Sequence, residues 1–291
     1  MAFLQSCSFG HPYRSQVTLL FRHKGIRHCR SNLFGLFLRM TTNSPANLLV
    51  TGASGRTGSL ALKKAATLPQ LFSPRGLARS KEKTSKLFDN NYTFFFGSIL
   101  DEKILREALD NCKKLLILTS AVPIMRLNPD GTPKQPPEFF FKQGEEPEQV
   151  FSSERKKKQI EITKHCEEEN IKIISNKTVT QKDHPLNRLG NILMWKKKSE
   201  DYLMSCGIPF TIIHPGGLVD KAESRRSLVI GHNDNLVNST HRTISREEVA
   251  DIALQSFLHE DAKYKSFDVV SAPCKKDEQV VRDWKNFFSN T

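Results

Sequence analysis

Acid is missing from the front of this chain: no aspartate or glutamate occurs before Glu82. Residues 1–46 hold six Lys or Arg, are rich in Ser, and carry no acid at all. That composition is the one expected of an organellar transit peptide. A secretory signal is excluded because the segment lacks an uninterrupted apolar core. Nowhere does the chain have 18 consecutive apolar residues, so a membrane-spanning helix is not expected. Cysteine is equally uninformative as a framework. Cys7, Cys29, Cys112, Cys166, Cys206 and Cys274 are scattered with no C-x-x-C spacing, which supports neither a metal site such as zinc nor a disulfide scaffold. The net charge of +13 invites a nucleic-acid reading. Much of it belongs to the basic leader, though, and the rest lies in clusters such as 155–158 and 196–198 with acids nearby. Without a recognisable nucleic-acid motif these are solvated helix faces, and no nucleic-acid partner is expected.

What remains is a 291-residue chain, 38% hydrophobic, enough for one large α/β domain plus an extension. We expect residues 1–45 to be a disordered transit peptide and residues 46–291 to form a single domain. A plain basic tail is the alternative for the leader, and Met40 could start a cytosolic form.

The domain opens on "LLVTGASGRTGSLALKKA", residues 48–65. A short apolar strand runs into Gly52, Gly55 and Gly58 and then into helix-forming residues. In a strand–turn–helix setting, glycines at this spacing allow a tight turn, close approach to a phosphate, and close helix–strand packing. The helix N-terminus then offers N–H groups and a positive dipole end to a pyrophosphate. Dinucleotide binding follows. The acid expected about 20 residues on, to hold a ribose 2′-hydroxyl, is absent. The second strand candidate ends in Arg79 and Ser80, a cation and a hydroxyl suited to a 2′-phosphate, and Arg56 adds charge in the turn. NADP is therefore favoured over NAD.

Strand and helix patterns alternate along the rest of the chain. Strands are expected at 92–98, 114–120, 171–175, 210–217 and 265–271, and helices at 101–112, 153–170, 191–207 and 245–260. Ser245 and Glu248 have capping-box spacing. The order implies a doubly wound, Rossmann-type parallel sheet with helices on both faces. Residues 123–152 break the rhythm: the stretch is rich in proline and contains Phe139, Phe140 and Phe141. It follows the fourth strand, at the ligand-binding edge of such a sheet, and reads as a substrate-side lid.

"VTGASGRTG", "LTSAVP", "DHPLNRLGN", "ILMWKKKSEDYL", "TIIHPGGL" and "ISREEVAD" resemble the atypical short-chain dehydrogenase/reductases of the NmrA-like branch. The likeness spans roughly residues 46–288 and is nearest to plant chloroplast members of unassigned substrate. It therefore implies a plastid stroma, with mitochondrion or cytosol as alternatives. It also implies cofactor contacts from Gly52, Ser54, Gly55, Arg56, Thr57 and Gly58, from Arg79 and Ser80, and from Ser98, where the family often has Asp. Further contacts are implied at Thr119, Ser120 and Ala121, at Lys196, and at Pro215, Gly216 and Gly217.

The resemblance fails at one important point. The family's Tyr-x-x-x-Lys motif places tyrosine where this chain has Ile192, four residues before Lys196. Tyr202 lies on another face of the helix, roughly 240° away. Ser175 is the candidate for the catalytic serine, and His184 and His214 are the remaining proton-transfer candidates. Two functions stay open: an NADP-dependent oxidoreductase acting on a small carbonyl or enol, with Lys196 and Ser175 as catalytic residues, or a non-catalytic NADP(H) redox sensor.

Overall fold

In the computed structural model the described residues are 44–291, apart from 122–123, 136–137, 144–145, 152–169, 175–189, 221–225 and 274–281. The leader, the helix expected at 153–170, Ser175 and His184 lie outside them.

An eight-stranded sheet in the order β10-β12-β8-β7-β4-β1-β2-β3 organises the domain. Its strands are β1 (Ala46–Thr51), β2 (Phe72–Ala78), β3 (Thr93–Phe96), β4 (Lys114–Ile117), β7 (Asn170–Ile174), β8 (Phe210–Pro215), β10 (Arg226–Gly231) and β12 (Lys265–Pro273). Pairing is parallel except where β10 runs antiparallel to β12. The parallel sheet expected from the sequence is thus interrupted only at one edge, where β10 runs antiparallel to β12. β1 is central because it can be: Leu48, Leu49 and Val50 are fully buried, as suits a strand covered on both faces.

One face of the sheet carries α1 (Arg56–Ala66) and α6 (Arg246–Gln255), with Leu48, Val50, Leu116, Ile213 and Val269 in the shared core. The two helices meet through small residues. Ala61 and Ala65 of α1 are fully buried, as are Ala250 and Ala253 of α6, and Lys64 Nζ lies 2.8 Å from Asp251 Oδ1. α6 begins in the expected capping box, with Ser245 Oγ accepting from the Glu248 N–H and Glu248 accepting from the Ser245 N–H. It ends at Gln255, sooner than expected, and a 3₁₀ turn at Glu260–Ala262 follows.

The other face carries α3 (Glu102–Leu109) and α5 (Ile192–Ser205) over Leu49, Leu115, Ile117, Phe210 and Ile212. α5 stops at Gly207, whose φ of 70° is the left-handed value that ends a helix. Short elements complete the domain: α2 (Lys81–Leu87), α4 (Pro147–Phe151), α7 (Trp284–Ser289), a β9–β11 pair (Gly217–Val219 with Thr243–Ser245) and a β5–β6 pair (Ile124–Met125 with Phe139–Phe140). The strand expected at 210–217 is therefore two strands, β8 and β9.

Candidate functional site

The site begins where β1 meets α1, beside β4. This is the point at which strand order reverses, where doubly wound sheets bind ligands. Each glycine of the turn is required by backbone crowding. Gly52 has φ 70°, and a Cβ there would lie 3.0 Å from the Leu118 carbonyl oxygen and 3.3 Å from the Thr119 nitrogen. A Cβ at Gly55 would come within 2.9 Å of the Gly52 carbonyl oxygen, and one at Gly58 within 2.2 Å. The Gly55 N–H donates to the Gly52 carbonyl at 2.8 Å, which closes the turn. α1 then starts at Gly55 with no side chain capping it and no acid in its first turn. A helix start built this way keeps its free N–H groups and its positive end for an anion. The cradle fits a dinucleotide pyrophosphate.

A groove of about 560 Å³ runs past the turn, lined by Ser54, Gly55, Arg56, Lys83, Asp220 and Arg246 among others. Here the expectation for Arg56 needs amending. Its guanidinium pairs with Asp220, and Arg246 Nη1 holds the other oxygen of the same carboxylate at 2.7 Å. Arg56 therefore sits at the groove with a protein counter-ion already beside it. Arg79, at the end of β2, is exposed, while the Ser80 hydroxyl accepts from the Lys83 N–H and caps α2. Ser98 likewise serves a local turn, accepting from the Leu100 N–H at 3.2 Å.

The end of β4 comes next to the glycine turn, as the contact between Gly52 and Thr119 requires. Ser120 is exposed and its hydroxyl donates to the Ala121 carbonyl. Ala121 itself is buried with Ile192, and Phe141, Val150 and Trp195 pack against the pair. The structure thus joins the end of β4, the start of α5 and the proline-rich insertion around Ile192. At Pro215, Gly216 and Gly217 the backbone is already engaged. The Gly216 N–H donates to the Val269 carbonyl and the Gly217 N–H to the Arg242 carbonyl. A Cβ at Gly216 would stand 2.6 Å from the Arg242 oxygen.

Lys196 is the unusual member. One turn along α5 from Ile192, it is only 4% exposed, and burial lowers its pKa to about 8, opposed by the nearby Glu200 carboxylate. Glu200 is buried as well, and so are His214 on β8 and Asp268 on β12. His214 Nε2 lies 3.3 Å from Glu200 Oε2, and its Nδ1 lies 3.3 Å from Asp268 Oδ1. His214 and Asp268 are register partners on adjacent strands, so both point toward the α5 face. Burial works against the imidazolium, but the two carboxylates outweigh it and raise its pKa to about 9. Tyr202 packs into the core under α3 and β8, away from Ile192.

A family model described as NAD(P)H-binding matches residues 52–260, which takes in the glycine turn, every described strand from β2 to β11, and Lys196. The chain belongs to the NAD(P)H-binding family. An uncharacterized chloroplastic protein of Arabidopsis thaliana is 41% identical over 250 residues, covering 85% of this chain and 76% of its own length. Sanguinarine reductase of Eschscholzia californica is 36% identical over 261 residues, covering 83% of this chain and 94% of that enzyme. Among solved structures, a short-chain dehydrogenase/reductase of Veillonella parvula in complex with NADP superposes with a TM-score of 0.56 at 11% identity. That match covers 81% of this chain and 97% of that one. The Rossmann fold and the NAD(P)-binding family expected from the motifs are thereby established.

Four residues of this family member escaped the sequence reading. Glu200 was signalled only by its helix spacing from Lys196, and Asp268 by being the lone charge inside an apolar strand. Asp220 and Arg246 had no signal, because the sharing of the Asp220 carboxylate between Arg56 and Arg246 joins segments far apart in sequence.

Proposed function

We propose that the protein is an NADP(H)-dependent oxidoreductase that reduces a small carbonyl or enol substrate. The observation that carries this reading is the buried Lys196, one helical turn from the packed apolar cluster of Ala121, Ile192 and Phe141. Burying an ammonium is costly, and a site that must hold ribose hydroxyls offers a reason to bear that cost. When bound, a reduced nicotinamide supplies a hydride. The chain's own contribution is geometric. The glycine turn receives the pyrophosphate, Lys196 fixes the ribose and so the ring, and Ile192, Trp195 and Phe141 keep water from the reacting face. A 36%-identical relative that bears the name of a reductase supports the same direction of chemistry.

NADP is preferred over NAD because Arg79 ends β2 where an acid would otherwise stand, with Lys81 and Lys83 close behind on α2. A chloroplastic relative and the acid-free leader support a plastid address, which we take to be the stroma. The partner is a small-molecule substrate. A second reading, a cofactor sensor without turnover, is favoured by Ile192, which is buried in apolar surroundings at the position where the Tyr-x-x-x-Lys motif would place a proton-donating tyrosine.

Stopped-flow oxidation of NADPH against quinones, aldehydes and enones tests the proposal. Substrate-dependent oxidation that Lys196→Met abolishes is the expected result. Tight NADPH binding with no oxidation across the panel would leave the sensor reading standing.

A further inference from the structure

We infer that Glu200 is a positioning residue: it keeps the Lys196 ammonium charged and aimed at the cofactor, and the His214–Asp268 pair beneath it holds its carboxylate for that task. The inference rests on the reading that Lys196 holds the ribose.

Four ionisable side chains from three elements meet on the α5 face of the sheet. Lys196 and Glu200 lie one turn apart on α5, His214 stands on β8, and Asp268 stands on β12; none is more than 6% exposed. A carboxylate buried this deeply needs a cation, and Glu200 has two within reach. The His214 ring stands 3.3 Å away, and Lys196 occupies the adjacent turn, where i and i+4 residues are neighbours. The charges alternate as Lys, Glu, His and Asp, so the cluster is neutral when all four are ionised. His214 is thus a competitor as well as a support, because its positive charge shares the carboxylate that Lys196 depends on.

Other charged groups around α5 point elsewhere or lie further out. Lys197 pairs with Asp201 at 2.8 Å, and Lys198 lies over the Trp195 ring at 4.1 Å. Glu146, with one buried carboxylate oxygen, stands just before α4, which also packs on α5 and carries the exposed Glu148.

A purely structural ion pair would set stability and leave the protonation of Lys196 alone. The arrangement here makes two predictions of opposite sign. Removing the carboxylate should make the lysine easier to deprotonate, and removing the competing imidazolium should make it harder. NADPH affinity of the full chain, measured by fluorescence titration from pH 7 to pH 9.5, reads this directly. Over that range the 2′-phosphate keeps its charge, since its second ionisation lies near pH 6.

In the unaltered protein, affinity should fall as pH rises through about 8. Glu200→Gln should move that midpoint down by about one pH unit, Glu200→Asp should restore most of the shift, and His214→Gln should move it up. Lys196→Met should weaken binding and flatten the profile. If Lys196→Met binds NADPH as the unaltered protein does, the reading of the site falls and this inference with it. If Lys196→Met weakens binding while Glu200→Gln and His214→Gln leave the midpoint unmoved, the inference alone falls. Should Glu200→Gln fail to fold, as seen by circular dichroism, Glu200→Asp and His214→Gln still carry the test through the sign of the His214→Gln shift.

Discussion

Around Gly52, Gly55 and Gly58 the closest neighbours are main-chain atoms of the turn itself and of Leu118 and Thr119. Lys196 instead feels its own burial and the Glu200 carboxylate on α5, and Glu200 in turn lies 3.3 Å from His214 on β8, which lies 3.3 Å from Asp268 on β12. One end of the site is therefore shaped by steric exclusion, which tolerates a single residue type. The other is shaped by a balance of charges, which other residues can also satisfy. On that contrast, a change at position 192, where the family resemblance would put a tyrosine and this chain has Ile192, is easier to accommodate than a change at Gly52, Gly55 or Gly58. Backbone crowding leaves no alternative to glycine, whereas an electrostatic network can be re-partnered.

Substitutions at the two ends should therefore fail in different ways. The largest effect is expected at His214. His214→Ala leaves Glu200 and Asp268 buried without their shared cation, and stability should fall by about 3–5 kcal/mol in urea unfolding at pH 7. The pH dependence of the intact protein sharpens the point. His214 has its pKa raised from 6.5 to about 9, so its stabilisation is complete below about pH 6.5 and is lost as pH climbs toward 9. Lys196, lowered from 10.5 to about 8, acts in the opposite sense, because its penalty is relieved above pH 8. Stability should thus decline most steeply between about pH 6.5 and 8 and then level off, and Lys196→Met should remove the levelling.

At the other end, Gly58→Ala should cost about 3 kcal/mol, the upper part of the overpacking range, because the added carbon meets a carbonyl rather than a side chain. It should weaken NAD and NADP binding alike in calorimetry, with no change in pH dependence. Equal pH-shifting effects from Gly58→Ala and Glu200→Gln would break the contrast between the two ends. Arg79→Ala should lower NADP affinity about tenfold, the scale of one exposed charge-assisted hydrogen bond, and leave NAD affinity where it was. The smallest effects belong to the insertion. Phe139→Ala and Phe140→Ala, at exposed ring positions, should change stability by no more than about 0.5 kcal/mol. Phe141→Ala, which strips a ring from the Ile192 cluster, should cost more than either.

The order of strands and the glycine turn were legible because both follow from local rules. Leu48 to Val50 are apolar on both faces, and the three glycines have the spacing of a phosphate-binding turn between a strand and a helix. The capping box at Ser245 was equally local. What stayed hidden depended on partners distant in sequence. β10 was passed over since its pairing with β12 is antiparallel and its burial incomplete. The strand reading through Gly217 ran past Gly216, where the chain must turn because a Cβ would strike Arg242. Arg56 looked like a free cation until β9 brought Asp220 beside it. His214 reads from the sequence as a proton-transfer candidate, and nothing in its neighbours along the chain announces the two carboxylates that flank it.

The contact of α1 with α6 has a bearing on how the protein is made. The turn that receives the cofactor is complete in sequence by Gly58, yet the outer face of its helix is covered by Ala250 and Ala253, some 190 residues later. During synthesis the β1–α1 unit emerges early with an apolar alanine stripe open to water. It stays that way until the chain has been extended past Gln255 and α6 can dock. A newly made chain therefore carries its glycine turn on a helix whose alanine stripe is covered only once α6 has been made, and it is over this interval that a chaperone would find the stripe open.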